Sequence, residues 1–100
     1  MKKGELIAEV MYIDNFGNVV TNVLSKDLEE LETSIGDLLH VRIGRKAFDM
    51  RFCSAYGEVP ARTPLAIIGS HDFLEISINR GNASKTLKLK VGDSFSIYFR

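Results

Sequence analysis

IDNFGNVVTN, residues 13–22, inserts a polar, turn-forming stretch between two runs that read as strand. Leu6 to Ile13 is apolar and β-branched enough for one strand, and Val19 to Val23 supplies the next. A tight two-residue hairpin would need only Asn-Gly or Asp-Gly. Here Asp14, Asn15 and Asn18 surround an aromatic, Phe16, and Gly17 is free to take a positive φ. The loop therefore gathers a carboxylate, amides and a ring, and loops carried by a rigid sheet are where binding groups sit. The same residues also read as a capped turn, with Asp and Asn bonded to their own backbone and Phe16 plugging a barrel end.

Working outward, Met1 to Gly4 is a polar start and Glu5 to Asp14 the first strand. Alternation puts Leu6, Ala8, Val10 and Tyr12 on one face and Ile7, Met11 and Ile13 on the other, so both faces are expected to be at least partly covered. On the second strand Thr21 and Asn22 carry the polar side. Leu24, Leu28 and Leu31 recur at helical spacing and predict a helix over Ser25 to Leu31, with Ser25 as N-cap or Asp27 and Glu30 as a capping box. Ser34 to Ile43 holds a turn at Gly36-Asp37, then a strand with Leu39, Val41 and Ile43 inward and His40 and Arg42 outward. His40 reads as a solvated strand residue, since no partner carboxylate can be assigned to it. Gly44-Arg45-Lys46 turns into Ala47 to Tyr56, where Phe48, Met50, Phe52 and Tyr56 alternate with Asp49, Arg51 and Cys53.

Both prolines fall in the loop Gly57 to Pro64. Leu65 to Gly69 is a short apolar strand, Ser70-His71-Asp72 a turn, and Phe73 to Asn79 a strand with Phe73, Glu75 and Ser77 opposite Leu74, Ile76 and Ile78. Asn82 to Leu87 makes one helical turn capped by Asn82, and Ser94 to Arg100 is the last strand. SIGDLLHVRI and KVGDSFSIYF share a β-branched residue, Gly-Asp and an alternating strand, the same turn chemistry used twice. About seven closely spaced strands with one small helix predict an all-β fold, a small closed or nearly closed antiparallel barrel, as one domain over residues 1–100.

Composition narrows the function. Thirteen basic and thirteen acidic side chains cancel, leaving no basic excess for a phosphate backbone, so no nucleic acid is expected as partner. The single Cys53 cannot form an internal disulfide, has no activating neighbour, and suits a reducing compartment. No Cys/His spacing fits zinc, and no long apolar run suggests a signal peptide or membrane span, so a cytoplasmic protein without a metal site or membrane contact is expected.

IDNFGNVVTN resembles the signature that opens the C-terminal domain of the S-adenosylmethionine hydrolase (adenosine-forming) family, also called S-adenosylmethionine hydroxide adenosyltransferases and related to the fluorinating and chlorinating enzymes. The likeness continues through IIGSHDFLEISINRGNAS, residues 67–84, and the closing KVGDSFSIYF, covering nearly the whole chain in order. The resemblance implies a small β-barrel. It further implies a site where S-adenosylmethionine lies between the N-terminal domain of one subunit and the C-terminal domain of its neighbour in a trimer. The catalytic N-terminal domain, which activates the water, lies outside this chain, so no catalytic residue is expected here and no cofactor beyond the substrate.

Residue by residue, the resemblance gives Asp14 the amino group of methionine and Asn18 the adenine edge. Ser70 falls to the methionine carboxylate, with His71 where the fluorinating relative has arginine. Tyr56 falls near the aromatic that stacks on adenine, and Asn82 and Ala83 in the segment whose backbone reads the base. Glu75, in the LEI block of the hydrolase branch, is a further candidate ligand. Two functions follow. One is the adenine- and methionine-recognising half of a hydrolase yielding adenosine and methionine, inactive without its N-terminal domain. The alternative is a free-standing, non-catalytic module binding adenosine compounds or other proteins.

Overall fold

Seven strands close into a barrel in the computed structural model, which describes residues 4–99. They are β1 (Gly4–Ile13), β2 (Val19–Leu24), β3 (Leu38–Ile43), β4 (Lys46–Cys53), β5 (Pro64–Ile68), β6 (Phe73–Ile78) and β7 (Ser94–Phe99). Helix α1 (Ser25–Glu30) follows β2, α2 (Ala83–Leu87) follows β6, and Tyr56–Glu58 forms a 3-10 turn. Most of the expected polar start, Met1 to Lys3, and Arg100 at the end of the last strand lie outside the described residues. Around the barrel the order is β1-β2-β6-β5-β4-β3-β7, with β7 pairing back to β1.

The inward residues alternate as the pleat requires. Ala8 and Val10 of β1, Leu39 and Val41 of β3, Met50 of β4, Leu74 and Ile76 of β6 and Ile97 of β7 are buried in one core. Each large aliphatic side chain so removed from water contributes about 1.5–3 kcal/mol, which lets a chain with one free cysteine stand without a crosslink.

All pairings are antiparallel except one, since β4 and β5 run parallel. This corrects the wholly antiparallel expectation. A parallel pair cannot be joined by a tight turn, so the chain from Ser54 to Thr63 must cross outside the barrel. It covers the outer faces of Cys53, Leu65 and Ile67, which pack with Val59 as a second apolar cluster. That explains why β5 is apolar on both sides: both sides are covered. It also ends β4 at Cys53, so Tyr56 rides the crossover instead of a strand.

The expected faces are overturned at two points. Between Val10 and Tyr12 the β1–β2 register shifts by one residue at Met11. This bulge turns Tyr12 outward, 58% exposed, and lets Ile13 pack on the core. The outer face of β1 is consequently open, with Ile7 and Met11 also exposed. In β2, Thr21 is buried and faces inward with Val19 and Val23, as the strand alternation requires, and only Asn22 is exposed. Its hydroxyl donates to Leu74 O at 2.8 Å and accepts from Val23 N at 3.2 Å.

Helix α1 is capped differently from expectation. Leu24 occupies the N-cap, and its N–H donates to Asp27 Oδ2 at 2.9 Å, so neither Ser25 nor Asp27 sits at the cap. The repeated Gly-Asp turns, in contrast, match closely. Asp37 Oδ2 accepts from Ser34 N at 2.9 Å and Asp93 Oδ2 from Lys90 N at 3.0 Å. The carbonyls of these aspartates each accept at 2.8 Å, from Phe52 N and Val10 N. His40 does have a carboxylate, Asp49 directly across on β4 at 2.5 Å. The hairpin through Gly44 and Arg45 sets the two side chains opposite each other.

Candidate functional site

Asp14 organises the β1–β2 loop. Its Oδ1 accepts from the N–H groups of Phe16 and Asn18, and its Oδ2 from Asn18 Nδ2, each at 2.9 Å. The capped-turn reading is therefore right about the bonding, yet it leaves Asn18 its amide oxygen and one N–H. Phe16 is not a plug: the tight loop throws it outward, 77% exposed. Gly17, at φ 82°, lies directly against the Asn82 side chain, with no room for a Cβ. Ser84 N donates to Gly17 O at 2.9 Å, fastening the loop to the start of α2.

The crossover brings in Tyr56 from the other side. Asn79 Nδ2 donates to Val59 O at 2.8 Å and Arg62 N to Asn79 O at 2.7 Å, tying the crossover to the end of β6. Tyr56 remains 44% exposed, and with Asp14, Phe16, Asn18 and Arg80 it lines a groove of about 600 Å³.

A second depression, about 580 Å³, runs along the outer face of β1, β2 and β6. Met11, Tyr12, Val20 and Phe73 give it apolar walls, Glu75 lies within it, and Ser70 and His71 stand at its rim. Asp14 lines both depressions, so the two join there. Between the Ser70 loop and the Arg80 turn runs β6, whose six residues span about 20 Å. The combined cleft is long, with an aromatic end, an acidic middle and a hydroxyl-imidazole end.

Glu75 and Asp14 place two carboxylates in that middle, and neither joins an ion pair among the described residues. Burial, then the Asp14 charge, raise the Glu75 carboxyl above its ordinary range, while the Tyr56 phenol opposes them. Burial, Glu75 and Asp14 likewise push the Tyr56 phenol up. Such a middle favours a cation: a positive ligand relieves the repulsion that the protein leaves uncompensated. Among the described residues no group of three His, Cys, Asp or Glu side chains is placed to hold a metal ion. No helix among them is long and apolar enough to cross a membrane.

Of the residues expected from sequence, Asp14, Asn18, Tyr56, Ser70, His71 and Glu75 line this cleft. Asn82 and Ala83 do not. Asn82 Oδ1 accepts from Lys85 N at 2.9 Å as the α2 N-cap, and Ala83 is buried in the core. Sequence reading missed Phe16 as a cleft wall, because an aromatic in a turn reads equally well as a plug. It also missed Arg80 and the apolar walls, none of which carries a local signal.

Residues 8–96 match the model of the family described as SAM hydroxide adenosyltransferase C-terminal domain. The chain is 36% identical over 84 residues to the (R)-S-adenosyl-L-methionine hydrolase of Thermus thermophilus, a match covering 84% of this chain and 29% of that protein. It is 30% identical over 101 residues to the same-named enzyme of Methanocaldococcus jannaschii, covering 99% of this chain and 38% of that protein. Among solved structures, a conserved protein from Thermotoga maritima superposes with TM-score 0.89 at 39% identity, covering 93% of this chain and 35% of that one. A conserved protein from Thermus thermophilus superposes with TM-score 0.70 at 31% identity, covering 93% and 34%. The chain thus spans roughly a third of the proteins it resembles.

Proposed function

The chain belongs to the SAM hydroxide adenosyltransferase C-terminal domain family, and from that premise we propose that it forms the adenine- and methionine-recognising part of an S-adenosylmethionine hydrolase. The observation that carries this reading is the pair Asp14 and Glu75, two carboxylates without an ion-pair partner at the junction of an aromatic groove and a trough rimmed by Ser70 and His71. A nucleoside joined to an amino acid has complementary chemistry in the same order.

In this reading Phe16 and Tyr56 flank the adenine, whose flat face suits aromatic contact. The unspent oxygen and N–H of Asn18 meet its edge, since an amide offers donor and acceptor together. Asn82 and Ala83 act through the backbone they place behind the Gly17 turn. Asp14 and Glu75 take the methionine ammonium as charge-assisted acceptors. Ser70 and His71 hold its carboxylate, His71 contributing charge only when protonated.

The reaction consumes water: its oxygen bonds to the ribose C5′ and gives up one proton to solvent, the C5′–S bond breaks, and methionine leaves with the electron pair as adenosine forms. This chain binds and orients, and the N-terminal domain of the same family activates the water. The relatives' name points to the (R) sulfonium epimer as substrate. The complete protein is a cytoplasmic homotrimer that needs no cofactor, metal, nucleic acid or membrane. The comparisons lend nothing to the alternative of a free-standing interaction module.

Calorimetric titration tests this. The purified chain is titrated with S-adenosylmethionine and adenosine, alone and mixed with a separately made N-terminal domain, with Asn18→Ala as control. Tight binding on mixing that the variant loses supports the reading. Absence of binding by either ligand under every condition overturns it.

A further inference from the structure

Ser77 sits beside Glu75 in the β6 alternation, on the outer face of the barrel, yet it is wholly buried. Its neighbour across the sheet is Leu65, one of the residues roofed by the crossover. Its Oγ has no hydrogen-bond partner among the described residues. A buried hydroxyl left without a partner is uncommon and calls for a reason. The group facing it is the phenol of Tyr56, which lies against both Ser77 and Glu75.

The three groups have a definite donor order. An ionised carboxylate only accepts, a phenol both donates and accepts, and a serine hydroxyl donates wherever it finds an oxygen. We propose that Ser77 is a positioning residue which closes a hydrogen-bond relay, Ser77 O–H to the Tyr56 oxygen and Tyr56 O–H to Glu75, when a cationic amine occupies the cleft. This rests on the function proposed above and adds to it a link between the two ends of the ligand.

In the free chain the Ser77 Oγ stands beside the Tyr56 phenol but makes no hydrogen bond of ordinary length and angle. A bound ammonium holds Glu75 ionised, and an ionised acceptor draws the Tyr56 proton more strongly. The phenol oxygen then becomes a better acceptor for Ser77, since hydrogen bonds in a chain polarise one another. Tyr56, half-exposed in the free chain, is thereby fixed in one orientation at the moment its ring is needed against the base. Occupation of the amine end thus prepares the aromatic end. A ligand carrying only the base leaves the relay open. The cleft in this way distinguishes an aminoacyl nucleoside from a plain nucleoside by more than the sum of their contacts.

The test is a double-mutant cycle on this chain, read by NMR shift titration, which measures weak affinities. The ligands are S-adenosylmethionine and adenosine, and the proteins are wild type, Ser77→Ala, Tyr56→Phe and the double variant. Ser77→Ala is expected to weaken S-adenosylmethionine binding roughly fivefold and adenosine binding hardly at all. In the Tyr56→Phe background, where the relay lacks its middle oxygen, Ser77→Ala is expected to change neither. Equal weakening of both ligands, or the same loss with and without the Tyr56 hydroxyl, would mean a mere packing role and overturns the relay. If wild type binds both ligands and Ser77→Ala changes nothing, the relay alone fails. If no ligand shifts any cleft resonance of wild type, either alone or mixed with the N-terminal domain, the site assignment fails and the relay with it.

Discussion

The carboxylate of Glu75 occupies the space that a side chain at Gly69 would fill: a Cβ at Gly69 would overlap Glu75 Oε2. Gly69 closes the β5–β6 hairpin, its N–H donating to Phe73 O at 2.9 Å, so the acid folds back over the turn that also presents Ser70. The glycine is needed here for space, since a bare Cα is what lets the acid lie close over the backbone. Gly69→Ala is expected to lever Glu75 into solvent and leave the barrel folded. Two readouts follow: the Glu75 carboxyl, followed by carbon NMR, titrates lower than in wild type, and affinity for an amine-bearing ligand drops about tenfold. An unmoved titration curve would sink the idea.

Asp14 and Asn18 separate by their loads on the loop. Asp14→Ala strips three acceptor contacts, two of them from backbone N–H groups, and should cost about 2 kcal/mol. Asn18→Ala removes one of those contacts and should cost about 0.5–1 kcal/mol. For a domain of this size each kcal/mol moves Tm by about 4–8 °C, so calorimetric scans separate the two. Asn18→Ala is therefore the cleaner probe of binding, and comparable losses of Tm would show that the loop is held some other way.

Thr21 replaces a missing rung. Where β2 slips against β6, its hydroxyl serves both Leu74 O and Val23 N inside the core. Thr21→Val keeps the shape and strands two buried backbone groups, at an expected cost of about 2 kcal/mol in urea unfolding with an unchanged m value. Thr21→Ser, retaining the hydroxyl, should recover part of this loss.

Glu75 also carries a pH signature. Its folded-state carboxyl is raised above the ordinary 4.5 by burial and by Asp14. The folded chain then holds that proton longer than the unfolded chain, so the contribution is full below the unfolded value and is lost as pH rises through the folded one. Glu75→Gln, which cannot ionise, is expected to be more stable than wild type near neutrality and to lose that advantage at about pH 3. Paired urea melts at the two pH values decide it. A stability difference that ignores pH would mean that Glu75 folds without strain from its neighbour.

Local chemistry in the chain determined much of this protein. The alternation in LLHVRI and FLEISI placed the inward residues correctly, because the pleat has a period of two. The two Gly-Asp turns and the Asn82 cap were legible, because each is closed by residues a few positions apart. Six cleft residues were legible through the blocks IDNFGN and GSHDFLE together with Tyr56. Tertiary structure alone decided the rest. The bulge at Met11 that exposes Tyr12 is set by pairing with another strand, and a shift of one residue sends a side chain to the opposite face. The parallel seam of β4 and β5 and the Tyr56, Ser77 and Glu75 cluster join residues that only the tertiary fold brings together. What depends on neighbours in sequence can be read from the sequence; what depends on neighbours across the barrel is known once the barrel has closed.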